Sequence, residues 1–372
     1  MVIGPDRRTV LISGAAALTM GCQKARTSPK IDLWNNSTGP HLRGAVFPQR
    51  RVYPEIDGDV FLGSGSVGAP ITNQALDSLA AAGANFALLS HPGLFSETAP
   101  YRQDRAIEDH LADMVERCRQ RGIFTVIGFR TGPGRSEFTF HRDSPGDWFP
   151  ASMINERVWS DAEAQAAWAE MWRHAARQFR GHESVAGYLL MVEPNGSHIV
   201  RHSPWSGMAR TLADAIRSVD AETPLLISPD GYAHLSGANG FSVPPASNTV
   251  LTVHDYEPFA YTHGDPMSAA SFTPEQARLD APVAGRWMLG EFGVRRWAHG
   301  AEQFLRYRME SLDSHGANSA FFHWETGWEP YDSQENAWIP HYGREQRALR
   351  PAADAPMLAV LQEFWSRNRA RP

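Results

Sequence analysis

Short apolar runs recur along the whole chain, and most are separated by a stretch whose apolar residues repeat at helical spacing. Within each run the residues are apolar throughout rather than alternating with polar ones, which is typical of parallel strands covered on both faces. The runs predict eight strands, at residues 43–47, 85–90, 123–129, 185–193, 224–228, 248–256, 286–292 and 318–324. Strands of this kind need helices around them, so the fold belongs to the α/β class.

The helical stretches fall between the predicted strands. They predict helices at residues 73–83, 103–121, 161–179, 207–219 and 301–316, with a final helix near 355–367. No helix is visible between strands five and six. Eight strands alternating with helices indicate a single (β/α)8 barrel over residues 41–372. The alternative is a doubly wound sheet, but its glycine-rich phosphate turn is missing after the first strand.

The first 22 residues have the layout of an export signal. Arg7 and Arg8 precede the weakly apolar run Val10–Met20, and Gly21-Cys22 follows it. This run is too short to span a bilayer as a permanent helix. The paired arginines resemble a twin-arginine signal, and "LTMGC" resembles a lipoprotein box in which Cys22 becomes lipidated.

The remainder of the N-terminal region predicts where the protein resides. Residues 23–40 are polar, contain Pro and Gly, and suit a tether. Gln23 stands where other lipoproteins carry the Asp that retains them at the inner membrane, so we predict a periplasmic or cell-surface lipoprotein of the outer membrane. Cys118 lies at helical spacing among apolar residues and is predicted to be a buried thiol that forms no disulfide.

Charge and aromatic content restrict the partners. The chain carries a formal net charge of −6 without a long run of like charge, which argues against nucleic acid and against electrostatic membrane binding. Membrane contact is therefore expected through a lipid anchor alone. The protein is expected to be a monomer. The chain also has 12 Trp residues, several of them in predicted loops or at strand ends. They either pack at the surface or stack against sugar rings.

Polar residues end several of the predicted strands. In a barrel of this kind the active site lies at the C-terminal ends of the strands, so these side chains should converge. They are Arg130, Glu193, His254, Tyr256, Glu291, His323 and Trp324. Two carboxylates across a cleft are the groups that hydrolyse glycosidic bonds, one as a proton donor and one as an ionised nucleophile. The alternative is that each Glu forms a salt bridge or is solvated.

Four motifs carry a resemblance to a known family. In chain order they are "GYLLMVEPNG", "VHDYEPFAYTHGD", "LGEFGV" and "FFHWET". Together they resemble glycoside hydrolase family 5, a member of the large clan of retaining (β/α)8 hydrolases, from about Arg43 to the C-terminus. The resemblance implies that Glu193 is the acid/base and Glu291 the nucleophile, with carboxyl groups about 5–5.5 Å apart.

The same resemblance implies supporting roles for three further residues. The Tyr256 hydroxyl would hold the nucleophile, and His254 would support the acid/base. Trp324 would be the aromatic platform beneath the sugar at the cleavage point. For Tyr256 and Trp324 a purely structural place in the core is the alternative. The implied activity is hydrolysis of a β-linked glucan- or mannan-like polysaccharide or oligosaccharide through a glycosyl-enzyme intermediate.

Three polar groups of the family are replaced in this chain. Val192 stands where the family has an Asn, Leu88 where it has an Arg, and Arg130-Thr131 near the place of a His. We predict that Arg130 replaces the missing Arg beside the nucleophile, although it could instead pair with Glu137. Because the family's Asn contacts the 2-hydroxyl of the sugar, we further hypothesise a native substrate that differs near its 2-position. Asn195 is a candidate for the lost contact, although it lies beyond a proline.

Two long loops should form the cleft walls. Residues 131–150 are aromatic-rich and include Trp148, and residues 195–207 include Trp205. No His/Cys cluster has the spacing of a zinc site, so neither a metal nor an organic cofactor is expected. Two other functions share this sequence pattern. One is a transglycosylase that remodels exopolysaccharide, and the other is a non-catalytic carbohydrate-binding protein on a degenerate barrel.

Overall fold

The computed structural model describes residues 29–372 except 59, 61, 144–147, 242–245, 247, 283–284 and 329–334. Eight parallel strands close a barrel in which each strand pairs with its neighbours in chain order. The strands are β1 Arg43–Pro48, β2 Phe86–His91, β3 Phe124–Phe129, β4 Val185–Leu189, β5 Leu225–Ile227, β6 Thr249–His254, β7 Trp287–Phe292 and β8 Asn318–Phe321. The prediction of a (β/α)8 barrel is confirmed.

Six longer helices cover the barrel. They are α1 Asn73–Ala81, α2 Arg105–Arg119, α3 Ala162–Phe179, α4 Trp205–Arg217, α5 Ala301–Ser314 and α6 Pro356–Trp365. Two of the longest begin at a capping Asp: the Asp161 side chain accepts hydrogen bonds from first-turn amides of α3, and the Asp104 side chain accepts one from the Ile107 N–H of α2. Between β5 and β6 the described residues form one short 3₁₀ turn, Leu235–Ala238, which agrees with the helix missing from the sequence pattern.

Short elements complete the loops. A two-stranded antiparallel ribbon joins Arg50–Arg51 to Val67–Gly68. Four-residue helices lie at Pro29–Asp32, Pro54–Asp57, Gly196–Ile199, Phe259–Thr262 and Pro274–Ala277, and 3₁₀ turns lie at Glu137–His141, Ala151–Met153, Arg157–Trp159, Glu335–Trp338 and Pro340–Tyr342. No helix in the described part of the chain has the length and apolar character needed to cross a membrane.

Two apolar clusters hold the fold together. The larger lies between the barrel and its helices, and Cys118 is buried in it as a free thiol, as predicted. The smaller fills the barrel, where side chains from different strands meet, such as Val46, Val126 and Val250. The interior is therefore packed, and the polar chemistry is left to the rim.

The tether predicted for residues 23–40 needs correction where the structure describes it. Ile31 and Trp34 are buried in the interior cluster, and the Trp34 indole donates to the carbonyl of Ala186, near the start of β4. The side chain of Asn36 bonds the backbone N–H and C=O of Trp287 at the start of β7. Residues 29–40 therefore close the barrel at the N-terminal ends of its strands. Burial of Ile31 and Trp34 outweighs the polar composition of the segment.

Candidate active site

Glu193 and Glu291 meet at the C-terminal rim with His254 between them. The His254 Nδ1 atom lies 2.9 Å from a Glu193 oxygen and 3.6 Å from a Glu291 oxygen. One carboxylate oxygen of each Glu and a ring nitrogen of His254 all lie within 4.8 Å of one another. His254 is buried, and although burial opposes its charge, Glu291 and Glu193 together raise the pKa of His254. The imidazole thus bridges the two carboxyls.

Glu291 is the more deeply enclosed of the two carboxyls. Its side chain is 7% exposed, against 20% for Glu193. The Tyr256 hydroxyl donates to it at 3.2 Å. Burial raises the pKa of Glu291 to about 7 and Glu193 adds to the rise, while His254, Arg130 and Tyr256 counter it. Glu291 therefore gains its negative charge only as the pH rises to about 7.

Arg135 holds the backbone that carries Glu193. Its buried guanidinium donates to the carbonyl oxygens of Arg130 and Val192 at 2.8 Å and of Glu193 at 2.6 Å. Glu193 has a left-handed φ of +49°, which is unfavourable for a residue with a side chain. The three hydrogen bonds stabilise this turn and aim the carboxylate into the cleft. The motifs gave no signal for Arg135, because its role depends on a loop closing back onto β4.

Arg130 forms a buried ion pair with Glu137. Its Nε and Nη2 atoms donate to the two Glu137 oxygens at 2.8 and 2.6 Å, and Nη1 lies 3.3 Å from the Ser90 hydroxyl. Burial opposes the guanidinium charge, but Glu137, with contributions from Glu291 and Glu193, raises the pKa of Arg130. The structure therefore shows the pairing with Glu137 that the sequence left as an alternative. The charge of Arg130 still lowers the pKa of Glu291.

The family comparison agrees with this geometry. Residues 57–327 match the family described as cellulase, glycosyl hydrolase family 5, which is more than half of the chain. The chain belongs to glycosyl hydrolase family 5. The resemblance seen in the four motifs is thereby confirmed.

Individual relatives of the family 5 chain are distant. A β-xylosidase of Phanerodontia chrysosporium is 26% identical over 193 residues, covering 50% of this chain and 38% of the relative. Endoglucanase 3 of Fibrobacter succinogenes is 27% identical over 135 residues, covering 34% of this chain and 20% of the relative. This chain therefore spans less than half the length of these curated relatives.

Solved structures share the fold of the family 5 chain. The endoglucanase Cel5A of Pseudomonas stutzeri, in complex with cellobiose, superposes with a TM-score of 0.61 at 18% identity, over 91% of this chain and 97% of that one. Cel5A of Thermotoga maritima gives a TM-score of 0.62 at 16% identity, over 89% and 99%. At this identity the likeness concerns the barrel itself.

Trp324 does not lie in the cleft of the family 5 barrel, so its predicted role as a sugar platform is corrected. The indole is 1% exposed, and its N–H donates to the Ala75 carbonyl in α1 and to the Ser78 hydroxyl. Phe322 in the same motif lies nearer to the site, with its ring 6.2 Å from that of Tyr256. The strand ends at Phe321, so alternation along "FFHW" cannot be extended to Trp324.

Two other predicted wall residues are buried structural side chains. Trp205 is 1% exposed, begins α4 and donates to the Ser228 carbonyl at 2.8 Å, so the prediction of a cleft wall is corrected. Asn195 is fully buried, and its amide bonds Thr139 and Tyr232. It therefore braces the loops around Glu193, and its burial leaves it unable to contact a sugar.

Trp148 is the predicted wall residue that remains accessible. It is 43% exposed, and the guanidinium of Arg50 lies 5.6 Å from its ring centroid. Its neighbours Phe138 and Phe149 pack against it, with ring centroids at 5.5 and 4.9 Å. Whether this surface takes a sugar stays a prediction.

The donor set of Glu193, His254 and Glu291 could in principle hold a metal ion. It is the one cluster of three such residues within reach of a single ion among the residues that the structure describes. The two carboxyls, however, already share His254, and Glu291 also accepts a hydrogen bond from the Tyr256 hydroxyl. The same arrangement also suits an acid and a nucleophile that both contact one imidazole.

Proposed function

We propose that the protein is a retaining β-glycoside hydrolase acting on a β-linked glucan- or mannan-like polysaccharide or oligosaccharide. The observation that carries the proposal is the closeness of Glu193 and Glu291, whose oxygens and the His254 nitrogen lie within 4.8 Å of one another. Inverting enzymes hold their carboxyls about 6.5–9.5 Å apart to admit a water between them. The shorter spacing supports the retaining mechanism.

The reaction proceeds in two displacements. A Glu291 oxygen attacks the anomeric carbon and forms a glycosyl ester, while the Glu193 proton passes to the departing glycosidic oxygen. Water then enters from the vacated side and gives a proton back to Glu193, and its oxygen displaces Glu291. The anomeric configuration is retained. His254 holds Glu193 in place, and the Tyr256 hydroxyl stabilises the ionised form of Glu291.

The substrate proposal draws on the relatives and on Val192. The named relatives include a β-xylosidase and an endoglucanase, which supports a β-linked substrate. Val192 is 1% exposed and its side chain belongs to the interior cluster, so it offers no donor to a 2-hydroxyl. This supports the hypothesis that the native substrate differs near the 2-position by stereochemistry, linkage or substituent.

The function is tested on purified protein against a panel of β-glucans, mannans, xylans and their oligosaccharides. Product size separates internal from terminal cleavage, and NMR of the first-formed anomer reports its configuration. We expect a β-anomer from one of these classes. An α-anomer would contradict retention, and sugar binding without product would favour the non-catalytic alternative.

The buried nucleophile predicts an acid limit to activity. Glu291 must be ionised to attack, and burial raises the pKa of Glu291 to about 7. As pH falls through this value Glu291 gains a proton, so kcat/KM should fall below about pH 7. A dinitrophenyl glycoside should show the same limb, because it needs the same ionised nucleophile although its leaving group needs no proton. An acid limb confined to the oligosaccharide substrate would contradict the prediction.

We also propose that the mature protein is attached to the outer membrane through a lipid on Cys22, which lies outside the described residues. The Arg7-Arg8 pair and "LTMGC" support this. We expect the Cys22→Ser variant to move from the membrane fraction to the soluble periplasmic or medium fraction, measured by immunoblot. Wild-type protein already in the soluble fraction would contradict the anchor.

A further inference from the structure

Residues 335–350, here called the C-terminal loop, lie beyond the part of the chain that matches the family. The match ends at residue 327. The loop nevertheless packs beside the active site, where its Trp338 contacts Tyr256. Arg296, shortly after β7, holds the loop there by hydrogen bonds. The Arg296 guanidinium donates to the Asn336 carbonyl and the Gly343 carbonyl at 2.9 Å each, and to the Asn336 side chain at 2.7 Å. The loop is therefore fixed to the segment that directly follows the strand carrying Glu291.

Arg296 holds the C-terminal loop at several further points. It also donates to the carbonyl oxygens of Gln346 and Ala348 at 2.9 Å. Its backbone N–H donates to the Ala337 carbonyl at 2.8 Å, directly before Trp338. Arg296 is 1% exposed, and burial lowers its pKa to about 10, so it stays charged at neutral pH. The position of Trp338 is thus set by Arg296, in the segment after β7.

Trp338 contacts the residue that holds the proposed nucleophile. Its ring lies 5.6 Å from the Tyr256 ring at an interplanar angle of 70°. Phe322 and His263 approach Tyr256 from other edges, at 6.2 and 5.2 Å, and both also contact Trp338, at 5.8 and 4.8 Å. Edge-to-face contacts at these distances are favourable beyond simple burial. Tyr256 is therefore enclosed by three rings, and Trp338 touches the other two.

Gly293 makes room for this arrangement. It follows Glu291 by two residues, and a Cβ atom placed on it would lie 2.6 Å from the Phe322 carbonyl oxygen and 3.1 Å from the Trp338 ring. Trp338 thus approaches the backbone of the Glu291 strand as closely as the absence of a side chain permits. The contact between Trp338 and Gly293 is therefore a buried one beside the active site.

We propose that Trp338 is a positioning residue that keeps the Tyr256 hydroxyl on Glu291. The inference rests on the proposed function. The Tyr256–Glu291 hydrogen bond is 3.2 Å long, so a small rotation of the phenol ring would break it. That bond lowers the pKa of Glu291 against the effect of burial and favours the ionised nucleophile. Through Trp338, a loop outside the family-matched region determines how well the nucleophile is set.

A double-mutant cycle tests the proposal, with Trp338→Leu, Tyr256→Phe and the double variant compared on one aryl glycoside. We expect Trp338→Leu to lower kcat about 20-fold with KM within about 2-fold, and the loss to shrink to about 2-fold in the Tyr256→Phe background. Trp338→Phe, which keeps an aromatic edge, should retain kcat within about 3-fold and covers the case in which the leucine variant does not fold.

The matched control is Trp365→Leu. Trp365 is 1% exposed in α6 and packs on Trp324, away from Tyr256, so its effect should be the same in both backgrounds. Losses from Trp338→Leu that multiply equally in both backgrounds, or that appear in KM alone, would overturn the positioning role while leaving the proposed function intact. Wild-type protein inactive on every glycoside would overturn both.

Discussion

Replacement of Glu291 by Gln should abolish turnover, with a fall in kcat on the order of 10⁴-fold or more. An amide of the same shape keeps the acceptor for the Tyr256 hydroxyl but is too weak a nucleophile to form the glycosyl ester. The measurement is release of a dinitrophenol from an activated glycoside, which isolates the first displacement because that step then needs no acid. Residual activity within about 100-fold of wild type would exclude Glu291 as the nucleophile.

Glu97→Gln is the matched control for this variant. Glu97 is also a buried carboxyl, and it accepts hydrogen bonds from the Tyr53 hydroxyl at 2.9 and 3.0 Å. Burial raises the pKa of Glu97 to about 7, so the neutral amide resembles its protonated form. We expect kcat and KM close to wild type, because this carboxyl has no part in either displacement. A loss as large as that of Glu291→Gln would indicate misfolding rather than chemistry.

Glu193→Ala should be selective in its damage. A sugar leaving group needs a proton in the transition state, and removal of the general acid should lower kcat/KM on an oligosaccharide about 10³-fold. A dinitrophenolate leaves unaided, so its kcat/KM should fall by no more than about 10-fold. The measurement is the ratio of the two constants in variant and wild type.

Azide supplies a second test of the same variant. With Glu193 absent, no base activates the water that resolves the glycosyl-enzyme, whereas azide needs no base. We expect added azide to raise kcat for the dinitrophenyl substrate and to yield a β-glycosyl azide. An α-azide would mean that the roles of Glu193 and Glu291 are exchanged. Equal losses of kcat/KM on the oligosaccharide and on the dinitrophenyl substrate would contradict the assignment of Glu193 as the general acid.

The barrel and its two carboxyls could be predicted because they depend on local pattern. Continuous apolar runs identify covered parallel strands, and the carboxyl ends of such strands share one rim, so Glu193 and Glu291 had to approach each other. His254 and Tyr256 followed from the family motif. Each of these residues lies within a few positions of a strand, where the chain has little freedom.

Long-range contacts explain what the sequence did not reveal. Trp324 and Trp205 lie in the right neighbourhood along the chain, but their indoles turn outward to backbone carbonyls in or beside the helix layer. Arg135 reaches carbonyls at positions 192 and 193 from a different loop. The direction of a side chain just past a strand end depends on how the loops close, and periodicity carries no information on that.

Residues 29–40, which close the barrel at the N-terminal ends of its strands, bear on how a lipid-anchored protein would be oriented at a membrane. Ile31 and Trp34 are seated at the N-terminal ends of the strands, whereas Glu193 and Glu291 lie at the opposite end. Between Cys22 and Pro29 only six residues intervene, about 20 Å when extended. A lipid on Cys22 would therefore keep the N-terminal end of the barrel close to the bilayer. The cleft would open away from it, where a long polysaccharide can approach without meeting the membrane.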